Sequence, residues 1–284
     1  MTARRPFRFG VVAAQARSGQ EWVEKGRRAE ALGYATLVMP DTLGQTLTPI
    51  PALGVLAGAT GTLRLGTYVL ANDFRNPVLL AREAAALDHL SSGRFELGLG
   101  AGRPGVEGDY AKLGIPFESG GVRVSRLAEA VGVIKGLLHG GDVFPRPVQE
   151  RLPIVLAASG PRLLALAARE ADVVAIGATP QEGEAGVRER VARLREAAPD
   201  RFDQLELNMN LVAVGDRLHP AAARMGGDLE QLARSGSPMV LTGSQDRMAE
   251  QLLRTRESLG ISYVTVADLF MDAFAPVAER LAGR

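Results

Sequence analysis

The 284-residue sequence contains no cysteine, which excludes disulfide frameworks, thiolate metal sites, iron–sulfur clusters and cysteine nucleophiles. It also has no surplus of either charge, because 33 Lys and Arg residues face 32 Asp and Glu residues, and this balance argues against a nucleic-acid partner. No apolar run approaches the roughly 18 residues typical of a membrane span. No signal-peptide pattern follows the first residues either. We therefore expect a cytoplasmic protein with no membrane partner.

Side chains that carry familiar chemistry are scarce. The three histidines, His89, His139 and His219, lie inside a predicted helix, at a helix end and before a proline, so we expect capping or surface roles for them. No His, Asp and Glu cluster has the spacing of a metal site, so no metal is expected. The G-x-S-x-G pattern of a serine nucleophile is absent as well. Chemistry without a nucleophile or a metal points to a bound organic cofactor.

What the sequence does have is a regular alternation of short apolar runs and longer amphipathic stretches. Eight such pairs predict an α/β fold, a (β/α)8 TIM barrel in one domain over residues 1–284, with insertions after strands four and seven. An open doubly wound sheet is the alternative. The predicted strands are Phe7–Ala14, Ala35–Met39, Leu63–Leu70, Phe95–Leu99, Ile154–Ala157, Val173–Ile176, Leu207–Val214 and Ile261–Val266.

Two carboxylates directly follow predicted strands, at the end of a barrel where chemistry takes place. Asp41 follows strand two, and Asp73 follows strand three. Either residue could simply form an Asx turn. Together with Arg103, after strand four, they could instead orient a polar ring, and these three residues are the candidate catalytic groups.

Glycine is abundant, at 33 residues, which favours backbone that passes close to a ligand. Gly100–Gly105 matches the G-x-G-x-x-G spacing of a dinucleotide-binding enzyme, but no strong helix start follows it, as that fold requires. A loop beside a flat ligand is the other interpretation. The segment Ala157–Arg162 joins strand five to a helix that Pro161 can open, and its free amides favour a phosphate. The alternative there is that Ser159 is a plain N-cap.

Several segments resemble the luciferase-like monooxygenase family. Residues 88–102 are similar to its strand-four signature, and residues 31–41 to its strand-two segment. Residues 110–117 and 157–161, and the end of the chain, follow in the family's order. Residues 66–77 are similar to strand three of the branch that uses the deazaflavin coenzyme F420.

The resemblance implies a TIM barrel that binds F420, or reduced FMN, and acts on a small organic substrate, usually as a homodimer. It also implies a bulge with a non-prolyl cis peptide at Tyr68-Val69, behind the deazaflavin ring, and places Asp41 at the polar edge of that ring. Phosphate-side contacts would come from the strand-five turn and the end of strand six. The full set of expected cofactor-binding residues is Asp41, Tyr68, Val69, Asn72, Gly100, Gly102, Ala157, Ala158, Ser159, Gly160, Pro161 and Gly177.

The sequence departs from the branch at two positions. Sugar-phosphate dehydrogenases of that branch carry His after the strand-two Asp and Glu after the strand-four glycines, whereas this chain has Thr42 and Arg103. We therefore expect an F420-dependent oxidoreductase that moves a hydride between the deazaflavin C5 and a substrate other than glucose 6-phosphate. The alternatives are a monooxygenase that uses reduced FMN and oxygen, and a flavin-binding barrel without catalysis.

Overall fold

The computed structural model describes residues 5–44, 46–224 and 228–284. Its strands are β1 (Arg8–Val12), β2 (Thr36–Met39), β3 (Arg64–Thr67), β4 (Leu70–Ala71), β5 (Phe95–Gly100), β6 (Ile154–Ala158), β7 (Val173–Ile176), β8 (Glu206–Asn210), β9 (Ala213–Val214), β10 (Arg217–Leu218), β11 (Val240–Leu241) and β12 (Ile261–Ala267). Its α-helices are α1 (Gly19–Ala31), α2 (Pro49–Ala59), α3 (Pro77–Leu90), α4 (Glu107–Lys112), α5 (Gly120–Gly140), α6 (Pro161–Glu170), α7 (Gly183–Ala197), α8 (Pro220–Arg224), α9 (Leu229–Arg234), α10 (Gln245–Leu259) and α11 (Met271–Leu281).

The main sheet is a closed barrel of parallel strands. Its order is β3-β2-β1-β12-β8-β7-β6-β5-β4, and an additional pairing of β3 with β5 closes the ring. Because β3 and β4 are two halves of one interrupted strand, the barrel has the eight strands that the sequence predicts. This confirms the (β/α)8 prediction and rules out the open doubly wound sheet. Strands β5 and β12 are buried along their whole length, as expected where both faces of a parallel sheet are covered.

The third strand carries a β-bulge. Gly66 pairs with Glu96, and Leu70 pairs with Leu99, so four steps along the third strand face three steps along β5. The extra residue falls between Thr67 and Leu70 and divides the predicted strand Leu63–Leu70 into β3 and β4.

The described residues group into two compact units. The first comprises residues 5–12, 29–36, 158–224 and 228–284, and the second comprises residues 13–28, 37–44 and 46–157. In the first unit, a small sheet of order β10-β9-β11 follows β8 and packs with α9 around Ala213, Leu232 and Val240. In the second unit, the indole Nε1 of the buried Trp22 donates a 2.8 Å hydrogen bond to the carbonyl of Ala52, which joins α1 to α2.

Two local elements differ from the sequence-based expectation. The predicted strand Leu207–Val214 is divided into β8, in the barrel, and β9, in the small sheet. The short helix α4 begins at Glu107, directly after a segment that lacked a strong helix start. Within the described ranges, no helix is both long enough and apolar enough to cross a membrane.

Candidate active site

Asp41, after β2, holds an arginine that the sequence did not single out. The Nη1 atom of Arg75 lies 2.5 Å from Oδ2 of Asp41, and Nη2 lies 3.4 Å from Oδ1. The backbone N–H of Ala71 also donates to Oδ2, at 3.2 Å. The carboxylate is only 5% exposed, so its contacts are mainly with protein groups. Asp41 therefore ties the end of β2 to the end of β4 and fixes the position of Arg75.

The bulge residues Tyr68 and Val69 are half-buried at the end of β3. The peptide bond between them is cis, as the resemblance implied. The N–H of Tyr68 donates a 2.6 Å hydrogen bond to the carbonyl of Met39. A Cβ atom on Gly98 would lie 1.9 Å from the Thr67 carbonyl oxygen, and one on Gly100 would lie 2.7 Å from Cγ2 of Val69. These two glycines of β5 make room for the bulge.

Asp73 lies in the short 3-10 helix Asn72–Phe74, and its side chain is 5% exposed. Its Oδ2 accepts a 3.4 Å hydrogen bond from the hydroxyl of Tyr110 and lies 3.6 Å from Nη1 of Arg126. The side-chain amide of Asn72 donates to Oδ1, at 3.4 Å. The two carboxylates of the predicted catalytic group are thus held by Arg75 and Arg126.

Arg103 makes a local hydrogen bond within its loop. Its guanidinium is exposed and donates a 3.3 Å hydrogen bond to the carbonyl of the neighbouring Pro104. Asp41 and Asp73 are paired with Arg75 and Arg126 instead. These pairings were not predicted, because both depend on turns that the sequence pattern does not reveal.

The loop after β5 is held in place by two buried side chains. Nε of Arg123 donates a 2.8 Å hydrogen bond to the carbonyl of Ala101, and its guanidinium stacks over the ring of Phe117. The ring of Tyr110 packs edge-on against Phe74 and Phe117, and burial, helped by the Asp73 carboxylate, raises the pKa of Tyr110 to about 12. Gly102 has φ +74°, and a Cβ there would lie 2.8 Å from the Tyr110 hydroxyl, so only glycine suits this position.

In the first unit, the turn after β6 forms the start of α6. Gly160 is the N-cap residue, with no side-chain cap hydrogen bond, and Pro161 occupies the first helical position. Ser159 is exposed and does not cap the helix, so the N-cap interpretation of Ser159 is wrong. A Cβ on Gly160 would meet no atom within 4 Å, which leaves open space before the first-turn amides.

The expected phosphate-side residues come together around this turn. The N–H of Gly177, after β7, donates a 2.8 Å hydrogen bond to the carbonyl of Ala158, the last residue of β6. A Cβ on Gly177 would lie 3.0 Å from Cβ of Ser159, so the glycine allows the two turns to approach closely. Ala157 is half-buried within β6, one position earlier.

The histidines do not all behave as expected. His89 and His139 are exposed, near the C-terminal ends of α3 and α5, in agreement with surface roles. His219 is half-buried instead, and its ring packs edge-on against Phe270, with 6.4 Å between the ring centroids. Burial lowers the pKa of His219, the Arg224 guanidinium lowers it further, and the carboxylate of Asp268 opposes them. Among the described residues, no group of three or more His, Asp or Glu side chains could hold a metal ion.

Comparison with known proteins identifies a family whose sequence pattern this chain matches. The model of the luciferase-like monooxygenase family matches residues 6–217. An F420-dependent glucose-6-phosphate dehydrogenase of Microbacterium testaceum is 30% identical over 190 residues, which are 59% of this chain and 55% of that protein. The chain thus spans about half the length of the curated relatives it matches.

Solved structures share the fold over nearly the whole chain. The F420-dependent tetrahydromethanopterin reductase of Methanopyrus kandleri superposes with a TM-score of 0.76 at 18% identity, covering 98% of this chain and 99% of that one. The long-chain alkane monooxygenase LadA gives a TM-score of 0.78 at 13% identity, covering 98% and 92%. At these identities the likeness shows the fold alone.

Proposed function

The chain belongs to the luciferase-like monooxygenase family, and from this premise we propose that it is an F420-dependent oxidoreductase. When bound, the reduced deazaflavin supplies a hydride from its C5 to a small organic acceptor, or takes one up in the reverse direction. The observation that carries the proposal is the uncapped start of α6, because its first-turn amides open onto free space before Gly160, as a phosphate site requires. The named relative adds that its own activity depends on F420.

At the phosphate end, the proposed contacts are the backbone groups of Ala157, Ala158, Ser159, Gly160 and Pro161, with Gly177. The exposed hydroxyl of Ser159 can donate a hydrogen bond to a phosphate oxygen, because the helix does not use it as a cap. The partial positive charge at the start of the ten-residue helix α6 favours the anion.

At the ring end, the proposed contacts are Tyr68, Val69, Asn72, Gly100 and Gly102. Tyr68 and Val69 remain partly exposed, although neighbouring strand residues are buried, so the bulge can support a flat ring on its outer face. The glycines of β5 and its loop leave room for the side chains of Val69 and Tyr110.

The carboxylates have supporting roles in this proposal. Asp41 acts on the ligand mainly through Arg75, whose guanidinium it orients, and Asp73 is oriented by Tyr110 and Arg126. Arg103 is exposed and free to contact the substrate from its loop. We propose Asp41, Asp73 and Arg103 as the groups that orient the substrate, directly or through these partners.

The substrate is proposed to differ from that of the named relative. Thr42 and Arg103 occupy the positions at which, by the resemblance, sugar-phosphate dehydrogenases carry an acid and a base. Without that pair, oxidation of glucose 6-phosphate loses its proton-transfer groups, and general acid–base catalysis contributes about 10²–10⁴-fold to a rate. We expect activity on another small organic compound and none on glucose 6-phosphate.

A parallel titration with F420 and with FMN tests the cofactor. We expect F420 to bind stoichiometrically in the micromolar range or below, with no comparable binding of FMN. The family to which the chain belongs favours the second candidate, a monooxygenase that uses reduced FMN and oxygen, and FMN binding without F420 binding would support it. Binding of F420 without hydride transfer to any acceptor would indicate a flavin-binding barrel without catalysis.

Three broader features belong to the same proposal and come from the sequence and the resemblance. The chain would form a single domain over residues 1–284, would be cytoplasmic, and would assemble as a homodimer. Light scattering of the purified protein tests the dimer directly, because a monomer has a mass of 30.1 kDa.

A further inference from the structure

The proposed function assigns backbone amides and one hydroxyl to the cofactor phosphate, and Asn210 offers a further group. Asn210 is the last residue of β8, at the end of a barrel strand where enzymes of this fold place functional side chains. Its Oδ1 accepts a 3.1 Å hydrogen bond from the hydroxyl of Thr265, its partner residue on β12. Within the described part of the chain, no group accepts a hydrogen bond from Nδ2. The half-buried amide therefore keeps two N–H donors available.

Asn210 lies on the inner face of the barrel. Side chains alternate along a strand, so Glu206, four positions earlier on β8, shares this face. The Glu206 carboxylate pairs with Arg8 of β1 at 2.6 Å, and the Arg8 guanidinium lies over the ring of Tyr263. The Tyr263 hydroxyl, on β12, lies 2.6 Å from Oγ1 of Thr36 on β2. Side chains of four adjacent strands meet in this way on the concave face of a closed sheet, which is therefore the face of Asn210.

The strand register places Asn210 beside Gly177. The parallel neighbours β7 and β8 pair Ala175 with Asn208. Two residues further along both strands, Gly177 and Asn210 stand side by side, about 5 Å apart across the sheet. Gly177 in turn lies against Ser159 in the turn before α6, where a Cβ on Gly177 would meet Cβ of Ser159 at 3.0 Å. Gly177, Asn210 and Ser159 belong to the same compact unit as α6.

The Asn210 amide can reach a ligand atom that lies over Gly177. Gly177 is exposed and has no side chain, so a ligand oxygen can approach its backbone. The side chain of Asn210, extended by a hydrogen bond of about 2.9 Å, covers the distance of about 5 Å between the strands. Because Thr265 occupies Oδ1, the amide presents donors instead of an acceptor, and donors suit an anion.

We infer that Asn210, oriented by Thr265, donates a hydrogen bond from Nδ2 to the phosphate of the bound cofactor. This inference rests on the proposed function, which puts the phosphate at the start of α6. Asn210 then adds a side-chain donor from β8 to a site that is otherwise built from the turns after β6 and β7. Thr265 is a positioning residue, because without its hydroxyl the amide can rotate and turn its oxygen towards the anion.

The test compares F420 with its phosphate-free deazaflavin core in fluorescence titrations of Asn210→Asp. The variant has nearly the same shape as the native side chain and keeps an acceptor for Thr265. We expect F420 to bind at least about 100-fold more weakly, because a donor to a charged group is lost and a carboxylate faces the phosphate. Binding of the phosphate-free core should change less than about threefold. Thermal unfolding of the same samples checks that the variant folds.

A pair of Thr265 variants tests the orientation of the amide independently. Thr265→Val removes the hydroxyl at nearly constant volume and should weaken F420 binding about tenfold, the size of one hydrogen bond to a charged group. Thr265→Ser retains the hydroxyl and should restore the affinity of the unmodified chain. Equal affinities of Thr265→Val and Thr265→Ser would contradict the orienting role, and this pair also decides the question if Asn210→Asp does not fold.

The outcomes separate this inference from the proposed function. Gly160→Asp, which places a carboxylate at the start of α6, reports on the phosphate site itself. If Gly160→Asp weakens F420 binding and Asn210→Asp does not, the inference about Asn210 is overturned and the proposed function survives. Equal losses for F420 and for the phosphate-free core in Asn210→Asp would also overturn the inference. If F420 does not bind to the unmodified chain, both are overturned.

Discussion

A carboxylate placed at the start of α6 should abolish the proposed phosphate site without weakening the helix. Gly160 has φ −89° and ψ 160°, which any residue adopts, and its Cβ position faces open space, so Gly160→Asp introduces no clash. Asp is also a preferred N-cap, so we expect the free energy of unfolding to rise by a few tenths of a kcal/mol, about the difference between Gly and Asp caps.

The same substitution should weaken F420 binding strongly, although it stabilises the fold. A carboxylate about 5 Å from a phosphate, at an effective dielectric constant of about 20, is repelled by about 3 kcal/mol. That energy corresponds to a roughly 100-fold weaker affinity. The assay is a fluorescence titration of F420, with thermal unfolding measured on the same samples.

The matched control for this prediction is Ser244→Asp. Ser244 is the N-cap of α10, where its side chain accepts a hydrogen bond from the N–H of Arg247, so the variant adds the same charge at another helix start. Its F420 affinity should equal that of the unmodified chain. Equal affinities of Gly160→Asp and Ser244→Asp would refute the assignment of the phosphate to α6.

Three further predictions address the ring end and its supports. Gly100→Ala should destabilise the fold by about 1–3 kcal/mol in thermal unfolding, because the added Cβ would meet Val69 at 2.7 Å. The control is Gly132→Ala, on the exposed face of α5, which should be neutral or stabilising. Equal losses of stability in the two variants would contradict the bulge packing. Asp41→Asn should lower the free energy of unfolding, measured in urea, by about 2 kcal/mol, because Arg75 loses its charged partner. The control Glu250→Gln, in the exposed pair with Arg254, should change it by almost nothing. An unchanged free energy of unfolding in Asp41→Asn would show that the Asp41–Arg75 pair does not support the site. The raised pKa of Tyr110 means that the folded state holds its proton more tightly than the unfolded state, so its stabilising effect is complete below pH 10 and is lost as the pH rises towards 12. A Tyr110→Phe variant should lack this loss in alkaline unfolding curves, and an ultraviolet titration in which Tyr110 ionises near pH 10 would contradict the expectation.

The barrel was predictable because each of its strands is a short apolar run with its own local signal. The run Val173–Ile176, for example, has the same bounds in the sequence and in the structure. The interruption of strand three was not visible in that pattern, since Tyr68 and Val69 are as apolar as their neighbours. It follows from Gly98 and Gly100 on the paired strand, and only the family resemblance indicated its position.

The site was predictable in its backbone parts and less so in its ion pairs. The turn around Gly160 carries a local signal, because proline and glycine mark a helix start. The pairing of Asp41 with Arg75 joins residues 34 positions apart through the turn at Asn72, which no spacing rule describes. The half-buried position of His219 was not predicted, because its contact with Phe270 depends on the small sheet after β8, and that sheet has no periodic signature.

The central claim is that the chain binds F420 with the phosphate of the cofactor at the start of α6. A crystal structure of the chain grown with F420 tests this claim most directly. We expect the phosphate oxygens in that structure to accept hydrogen bonds from the first-turn N–H groups of α6. A cofactor bound elsewhere, or FMN in that position when both are offered, would contradict it.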